Sequence, residues 1–302
     1  MTAKWTDLAL EARGEAGADA QPVGGGIERT VVRIDDEFAA REMMRPAGTY
    51  VTLSCPQMMT IELTTREALS RELAHTIREM LPEGAKTVLV TGLGNRSVTP
   101  DALGPRTAER VLVTRHMDGC LPQDIEDSLS SVCAVAPGVL GVTGVETAEV
   151  LRGVVDRVKP DAVIAVDALA ARSSQRICST IQVADTGIAP GSGVGNHRKA
   201  LTKKSLGVPV IAVGVPMVVY ASDIARDAMA YFSRADGASE AEEEKLADCV
   251  ERVVSEKLGD LIVTPREVDA LVERMAGIVA EGINLALHPA LSRREIAQLM
   301  AE

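Results

Sequence analysis

The sequence predicts an α/β fold built around one large domain, and three observations carry that expectation. Two short apolar runs, residues 87–90 (TVLV) and 161–166 (DAVIAV), have strand length, and each ends abruptly, one at glycines and the other at a carboxylate. Stretches with apolar residues at helical spacing lie between runs of this kind, so strand and helix alternate at the tempo of βαβ units. Apolar residues make up 46% of 302, enough for a full core, and with aromatics at 2% that core must be built from Val, Leu, Ile, Ala and Met.

Taken in order, residues 1–26 form a polar, Ala-, Gly- and Glu-rich arm in which TDLALEA is the only orderly string and Trp5 a candidate anchor. Short strands are expected at 30–34 and 49–54, giving a small β-containing appendage over 27–60 at the start of a single domain spanning 27–302. Thr64 with Glu67 reads as a capping box, followed by Leu69, Leu73, Ile77 and Met80 on one helical face and a stop at Pro82 and Gly84. After the 87–90 strand, Gly92, Gly94 and Asn95 turn the backbone, and 101–115 is expected to be helical. A strand at 131–136, a Gly-rich loop at 137–144 and a helix at 147–158 lead to the strand that runs into Asp167. Further strands are expected at 180–183, ending at Asp185, and at 209–213, with a helix at 220–232. Residues 187–196 are too glycine-rich for regular structure, and 233–244 reads as an acidic linker or helix start. The last long helix is predicted to open with Thr264 as N-cap, Pro265 in its first turn and Glu267 as capping partner. Val268, Leu271, Met275, Ile278 and Val279 supply its buried face, with Gly282 allowing an interruption or a close crossing.

Composition narrows the function. A formal charge of −11 would repel free nucleic acid, and the scarcity of aromatics removes stacking platforms, so no direct nucleic-acid partner is expected. Five cysteines, odd in number and without a CxxC, fit a reducing compartment. No cationic leader precedes an apolar segment, and no run reaches bilayer-spanning length. The expectation is a soluble cytoplasmic protein.

Several chemistries can be weighed on the motifs. The turn at Gly92, Gly94 and Asn95 follows a strand as a dinucleotide fingerprint would, but Ser97 stands at the third glycine position, and no phosphate-loop motif is present. His75, His116, His197 and His288 are scattered without an HExxH, so no metal is assigned, although Asp101, Asp167 and Asp185 could gather around a hard ion if the fold assembled them. Cys178 has no nearby base. The triplet at 185–187 (DTG) echoes pepsin-like proteases, whose β-rich fold does not suit this chain. The favoured pair is Asp101 and Asp167, both placed where α/β sheets put their chemistry. Two carboxyls sharing a site resist joint ionisation, so one can take a proton from water while its protonated neighbour polarises a peptide carbonyl.

The strings GLGNRSVTPDALGP, VTRH, APGVLGVTGVET, DAVIAVDALAAR, IQVADTGIAPGSGVGNHRK, GVPVIAVGVP and LIVTPREVD, in this order between about Thr6 and Leu287, resemble the germination protease family of spore-forming bacteria. That resemblance implies an endopeptidase of atypical aspartic type that begins the degradation of small acid-soluble spore proteins in the spore core or forespore. It implies a three-layer phosphorylase/hydrolase-like α/β fold similar to hydrogenase maturation proteases, and a homotetramer made as an inactive zymogen. It implies no cofactor and no metal, and no membrane partner is expected. The aspartates of TPDALGP and IAxDALAAR, which are essential in the family, correspond to Asp101 and Asp167. Asn95, Arg172, Asp185, His197 and Arg198 are candidates for substrate or supporting contacts. A family prosegment is cut just before a TDLA string, here at Thr6, leaving Met1 to Trp5 as a short candidate prosegment. The segment before LIVTP is also shorter than the family's. The alternatives are a metal-linked maturation protease and an inactive α/β binding protein.

Overall fold

Val88 and Val90 point into one apolar cluster and Leu89 into another, because successive side chains of a strand face opposite ways. That alternation sets the architecture of the computed structural model, which describes residues 6–13, 20–55, 62–119, 129–191, 199–235, 237 and 239–301. Among the described residues nine strands make one mixed sheet: β1 (Ala20–Gly24), β2 (Ile27–Ile34), β3 (Gly48–Ser54), β4 (Thr87–Gly92), β5 (Ser131–Val135), β6 (Ala162–Ala171), β7 (Thr180–Ala184), β8 (Val210–Tyr220) and β9 (Ile262–Val263). The helices are α1 (Ala9–Arg13), α2 (Glu37–Glu42), α3 (Leu63–Met80), α4 (Leu103–Ala108), α5 (Leu140–Thr143), α6 (Thr147–Val158), α7 (Lys203–Leu206), α8 (Ala221–Ala235), α9 (Glu240–Leu258), α10 (Val268–Leu287) and α11 (Arg293–Leu299).

The sheet order is β1-β2-β3-β7-β8-β6-β4-β5, with β9 pairing β8. Strands β8, β6, β4 and β5 run parallel, whereas β7, β3, β2 and β1 add an antiparallel wing. Residues 27–55, the described part of the stretch set apart in the sequence as an appendage, thus join the same sheet through β3 and β7. One face is covered by α3, α4 and α10 through Leu73, Leu103 and Met275, the other by α6 and α7 through Leu151 and Leu206. Gly282 lies inside α10 where a Cβ would meet Leu73 Cδ2 at 2.6 Å, so it permits a close crossing with α3 and does not break the helix.

Several expectations are corrected. Helix α3 starts one residue before Thr64, behind Glu62, without a side-chain cap, so there is no capping box. Thr264 does not cap α10 either: Glu267 is the N-cap and makes no side-chain cap bond, while the Thr264 hydroxyl donates to the Met217 carbonyl at 2.9 Å and keeps the chain extended beside β8. The helix expected at 101–115 shrinks to α4, because the Asn284 carboxamide takes the Leu112 N–H at 2.8 Å and donates to the Arg110 carbonyl at 3.0 Å, giving this backbone partners outside a helix. The 137–144 loop contains the four-residue α5. Within 233–244, expected as a linker or helix start, α8 runs on to Ala235 and the 19-residue α9 begins at Glu240, continuing to Leu258. Strands β6 and β8 each run well past their expected ends, since they pair with one another as far as Ala171 and Val219.

Candidate active site

Just past the end of β4, Leu93 N–H donates to Val166 O of β6 at 2.8 Å as the last rung between the two segments. Three glycines let the backbones crowd there. A Cβ on Gly92 would sit 2.1 Å from the Gly104 carbonyl, and one on Gly104 would sit 2.2 Å from Leu93 O and 2.5 Å from Val166 O. Gly94, at φ +112°, turns the chain away, and a Cβ there would be 2.1 Å from Asp101 O. The following loop closes as a 3-10 turn over Thr99–Asp101, in which Asp101 N–H donates to Val98 O at 2.9 Å. Asp101 Oδ2 in turn accepts the Asn95 N–H at 2.6 Å, and Asn95 Oδ1 accepts the Ser97 N–H at 3.0 Å. Asn95 is thereby a brace for the Asp101 carboxylate, acting through its backbone. From outside, Thr99 Oγ1 donates to Asp269 Oδ1 of α10 at 3.0 Å.

Asp167 differs in setting from its sequence expectation: it lies inside β6, opposite Gly214 of β8, and is 3% exposed. Its Oδ1 accepts the Ala168 N–H at 3.0 Å. Asp101 and Asp167 line one cavity of about 420 Å³ at the carboxyl end of β4 and partway along β6, walled by Val98, Pro100, Val218 and Thr264. Two aspartates lining one cleft, with apolar residues beside them, bring together the groups that acid–base chemistry on a polarised bond needs.

A third carboxylate, Asp7, lines the same cavity. The arm lies along the sheet: Leu8 and Ala9 are fully buried, Asp7 N–H donates to Ala170 O at 2.9 Å, and Ala170 N–H donates to Asp7 Oδ2 at 2.9 Å. Gln182 ties the arm to β7, accepting the Ala9 N–H at 2.7 Å and donating to Asp7 O at 3.0 Å. Glu11 holds the next turn by accepting Arg172 N–H at 2.8 Å and Ser173 N–H at 2.9 Å. Sequence reasoning missed Asp7 and Glu11. The signal available was two acids four residues apart around the apolar LAL in an otherwise featureless arm.

The remaining candidates separate. Arg172 lines a different cavity of about 450 Å³, with Glu11, Tyr231 and Arg234. Asp185 is exposed, accepts the Thr49 N–H at 2.8 Å as a turn residue, and is not among the residues lining the Asp101–Asp167 cavity. His197, Arg198 and the candidate anchor Trp5 lie outside the described residues. Cys178 is fully buried, and burial pushes its thiol up to about 12, which removes it as a nucleophile. Burial, then Asp260, Asp7 and Asp223, push the Tyr220 phenol up to about 12, so it remains a neutral donor near the arm. Among the described residues no group of three or more His, Cys, Asp or Glu is disposed to hold a metal ion.

Comparison with known proteins places these features in context. The germination protease family profile matches residues 19–251 and 237–299. The chain is similar to germination proteases of Caldanaerobacter subterraneus, at 44% identity over 98% of this chain and 97% of that one, and of Clostridium acetobutylicum, at 41% over 98% of each. A germination protease of Bacillus cytotoxicus is 37% identical over 94% of this chain and 93% of its own. Among solved structures, a NiFe hydrogenase maturation protease from Thermococcus kodakarensis aligns with a TM-score of 0.36 and 19% identity, covering 69% of this chain and 98% of that one.

Proposed function

The chain belongs to the germination protease family and is a protease, and from that premise we propose that it is the endopeptidase that opens the degradation of small acid-soluble spore proteins, with Asp101 and Asp167 as its catalytic pair. The observation that carries the site is the one cavity of about 420 Å³ that both residues line. In this reading one ionised carboxylate removes a proton from a water attacking the scissile carbonyl. The other, protonated, donates to the carbonyl oxygen as the tetrahedral centre forms, and the proton then passes to the leaving nitrogen. The Asp101 carboxyl is tethered by the Asn95 N–H, which holds its direction before substrate arrives, and Asp167 Oδ1 rests on the Ala168 N–H in the unliganded chain.

We take the spore core or forespore as its place of action. We read residues 27–302 as one α/β peptidase unit, akin in layering to hydrogenase maturation proteases, with residues 1–26 as its arm. Homotetramer assembly belongs to the same reading. A small, flexible substrate suits the cleft because its backbone can enter extended without first being unfolded. The test is cleavage of a purified small acid-soluble spore protein by the parent chain and by folded Asp101→Asn and Asp167→Asn variants, with and without a chelator. Cleavage by the parent that both variants lose and the chelator leaves alone supports the pair. Activity surviving in either variant removes that residue from the chemistry, and loss on chelation points to a metal-linked reaction.

A further inference from the structure

Strand β6 is buried along its whole length except at Ala168, and that exception coincides with a gap in its pairing. On one flank β6 pairs β8 from Val163 to Ala171. On the other, β4 stops at the Gly92–Val166 pair, and among the described residues no strand pairs with β6 beyond it. Backbone groups of alternate residues face alternate flanks. Val163 N–H goes to Pro209 O on the β8 side, whereas Val166 O receives Leu93 N–H and Ala170 O receives Asp7 N–H on the other. Ala168 shares the flank of Val166 and Ala170. Its N–H rests on Asp167 Oδ1 at 3.0 Å, and the residue lines the cavity that holds both aspartates.

Among the described residues the flank left open is therefore bounded. Leu93 closes it at Val166 and Asp7 closes it at Ala170, where the arm residue imitates a neighbouring strand with its own N–H and with a carboxylate oxygen in place of a carbonyl. At a rise of roughly 3.3 Å per residue, the rungs at 166 and 170 are about 13 Å apart, leaving space for about three residues of extended chain.

Resting on the peptidase reading of the same site, we propose that a substrate segment binds by main-chain pairing to Ala168, in a slot on the β6 flank whose ends are set by Leu93 and Asp7. A substrate carbonyl takes over the Ala168 N–H, releasing Asp167 Oδ1, and a substrate N–H reaches the Ala168 carbonyl. The chain so held passes beside Asp167 in the orientation typical of strand addition, in which backbone contacts give affinity and alternate side chains give selectivity. Asp7 is a positioning residue here. It leaves one register free, because the next site of the same parity, Ala170, is already taken.

The test uses a peptide spanning the cleaved bond of a spore protein, in a series that carries one backbone N-methyl group at each amide in turn. Cleavage is followed with the parent chain, and binding with the Asp101→Asn variant by fluorescence anisotropy, so that recognition is read apart from hydrolysis. A loss of binding of about tenfold or more at one amide, with its immediate neighbours tolerated, is the expected pattern. A profile flat to within about twofold overturns the slot while leaving the peptidase reading intact. Asp7→Ala frees the Ala170 N–H and should add a second cut two residues from the first, seen by mass spectrometry, whereas Asp7→Asn keeps an acceptor oxygen and the single cut. An unchanged single cut in Asp7→Ala overturns the role of Asp7. An unmodified peptide neither cleaved by the parent nor bound by Asp101→Asn overturns the peptidase reading, and the slot with it.

Discussion

Replacing Gly104 by Ala tests how the turn that carries Asp101 is seated. The added methyl would lie 2.2 Å from Leu93 O, 2.4 Å from Leu93 N and 2.5 Å from Val166 O, all backbone atoms that cannot swing aside. Reaching a relaxed separation of roughly 3.5 Å requires α4 to retreat by about 1 Å or the Leu93–Val166 rung to open. Overpacking of this kind costs about 1–3 kcal/mol, and a buried N–H and carbonyl pulled apart cost about 1–3 kcal/mol more. The sum, about 2–6 kcal/mol, is a large part of a typical total stability of about 5–15 kcal/mol. Because α4 follows directly on the 3-10 turn carrying Asp101, cleavage should fall even where the variant remains folded. Urea denaturation, with the slope checked for constancy, and cleavage of a spore-protein peptide read the two effects. Gly153→Ala is the internal control: Gly153 is exposed in α6, and a Cβ added there would have nothing within 4 Å, so the variant should gain about 0.5–1 kcal/mol. A Gly104→Ala protein as stable and as active as the parent would refute the crowding argument.

Three further outcomes follow from other sites. Asn284→Leu should lose about 2–5 kcal/mol by chemical denaturation, since Leu112 N–H and Arg110 O both lose their buried partner, and a change below about 0.5 kcal/mol would contradict that role. Burial, partly offset by the Leu112 carbonyl, holds the fully buried His288 imidazole below its usual range. The unfolded chain therefore takes up the proton first: this residue leaves stability intact above about pH 6.5 and erodes it as pH falls towards the folded-state value, by up to about 1.4 kcal/mol per pH unit. Urea midpoints of His288→Gln at pH 7, 6 and 5 should decline less steeply than the parent's, and parallel declines would refute this assignment. Alkylation at neutral pH followed by peptide mapping should label exposed Cys249 well before Cys178, whose thiol is pushed up to about 12, and equal rates would overturn the burial argument.

Much of this was legible in sequence where local chemistry decides the outcome. The α6 helix keeps its expected bounds because its apolar spacing and its ends agree. The strand-end glycines beside Asp101 and the apolar run into Asp167 signalled their places because steric demand and burial leave marks in residue type. What escaped depends on partners distant in the chain. Neither the early end of α4 nor the extended Thr264 can be read locally, since Asn284 and Met217 determine them from remote positions. Asp167 was expected just beyond its strand because nothing nearby reveals that β8 continues alongside it. Asp7 and Glu11 were hidden for the same reason: a short acidic string gains meaning only from the β6 backbone it binds.

The brace between Thr99 and Asp269, and the Asn284 carboxamide that ends α4, also bear on timing during synthesis. Both clasp the Asp101 region with residues about 170 positions later in the chain. Contacts of such long range close only after the intervening chain exists, and each carries the entropy of closing that loop. A nascent polypeptide still on the ribosome, with α10 not yet emerged, lacks the backing that seats Asp101. The turn that carries Asp101 is thus clasped only after the stretch that forms α10 has been made, long after the turn itself.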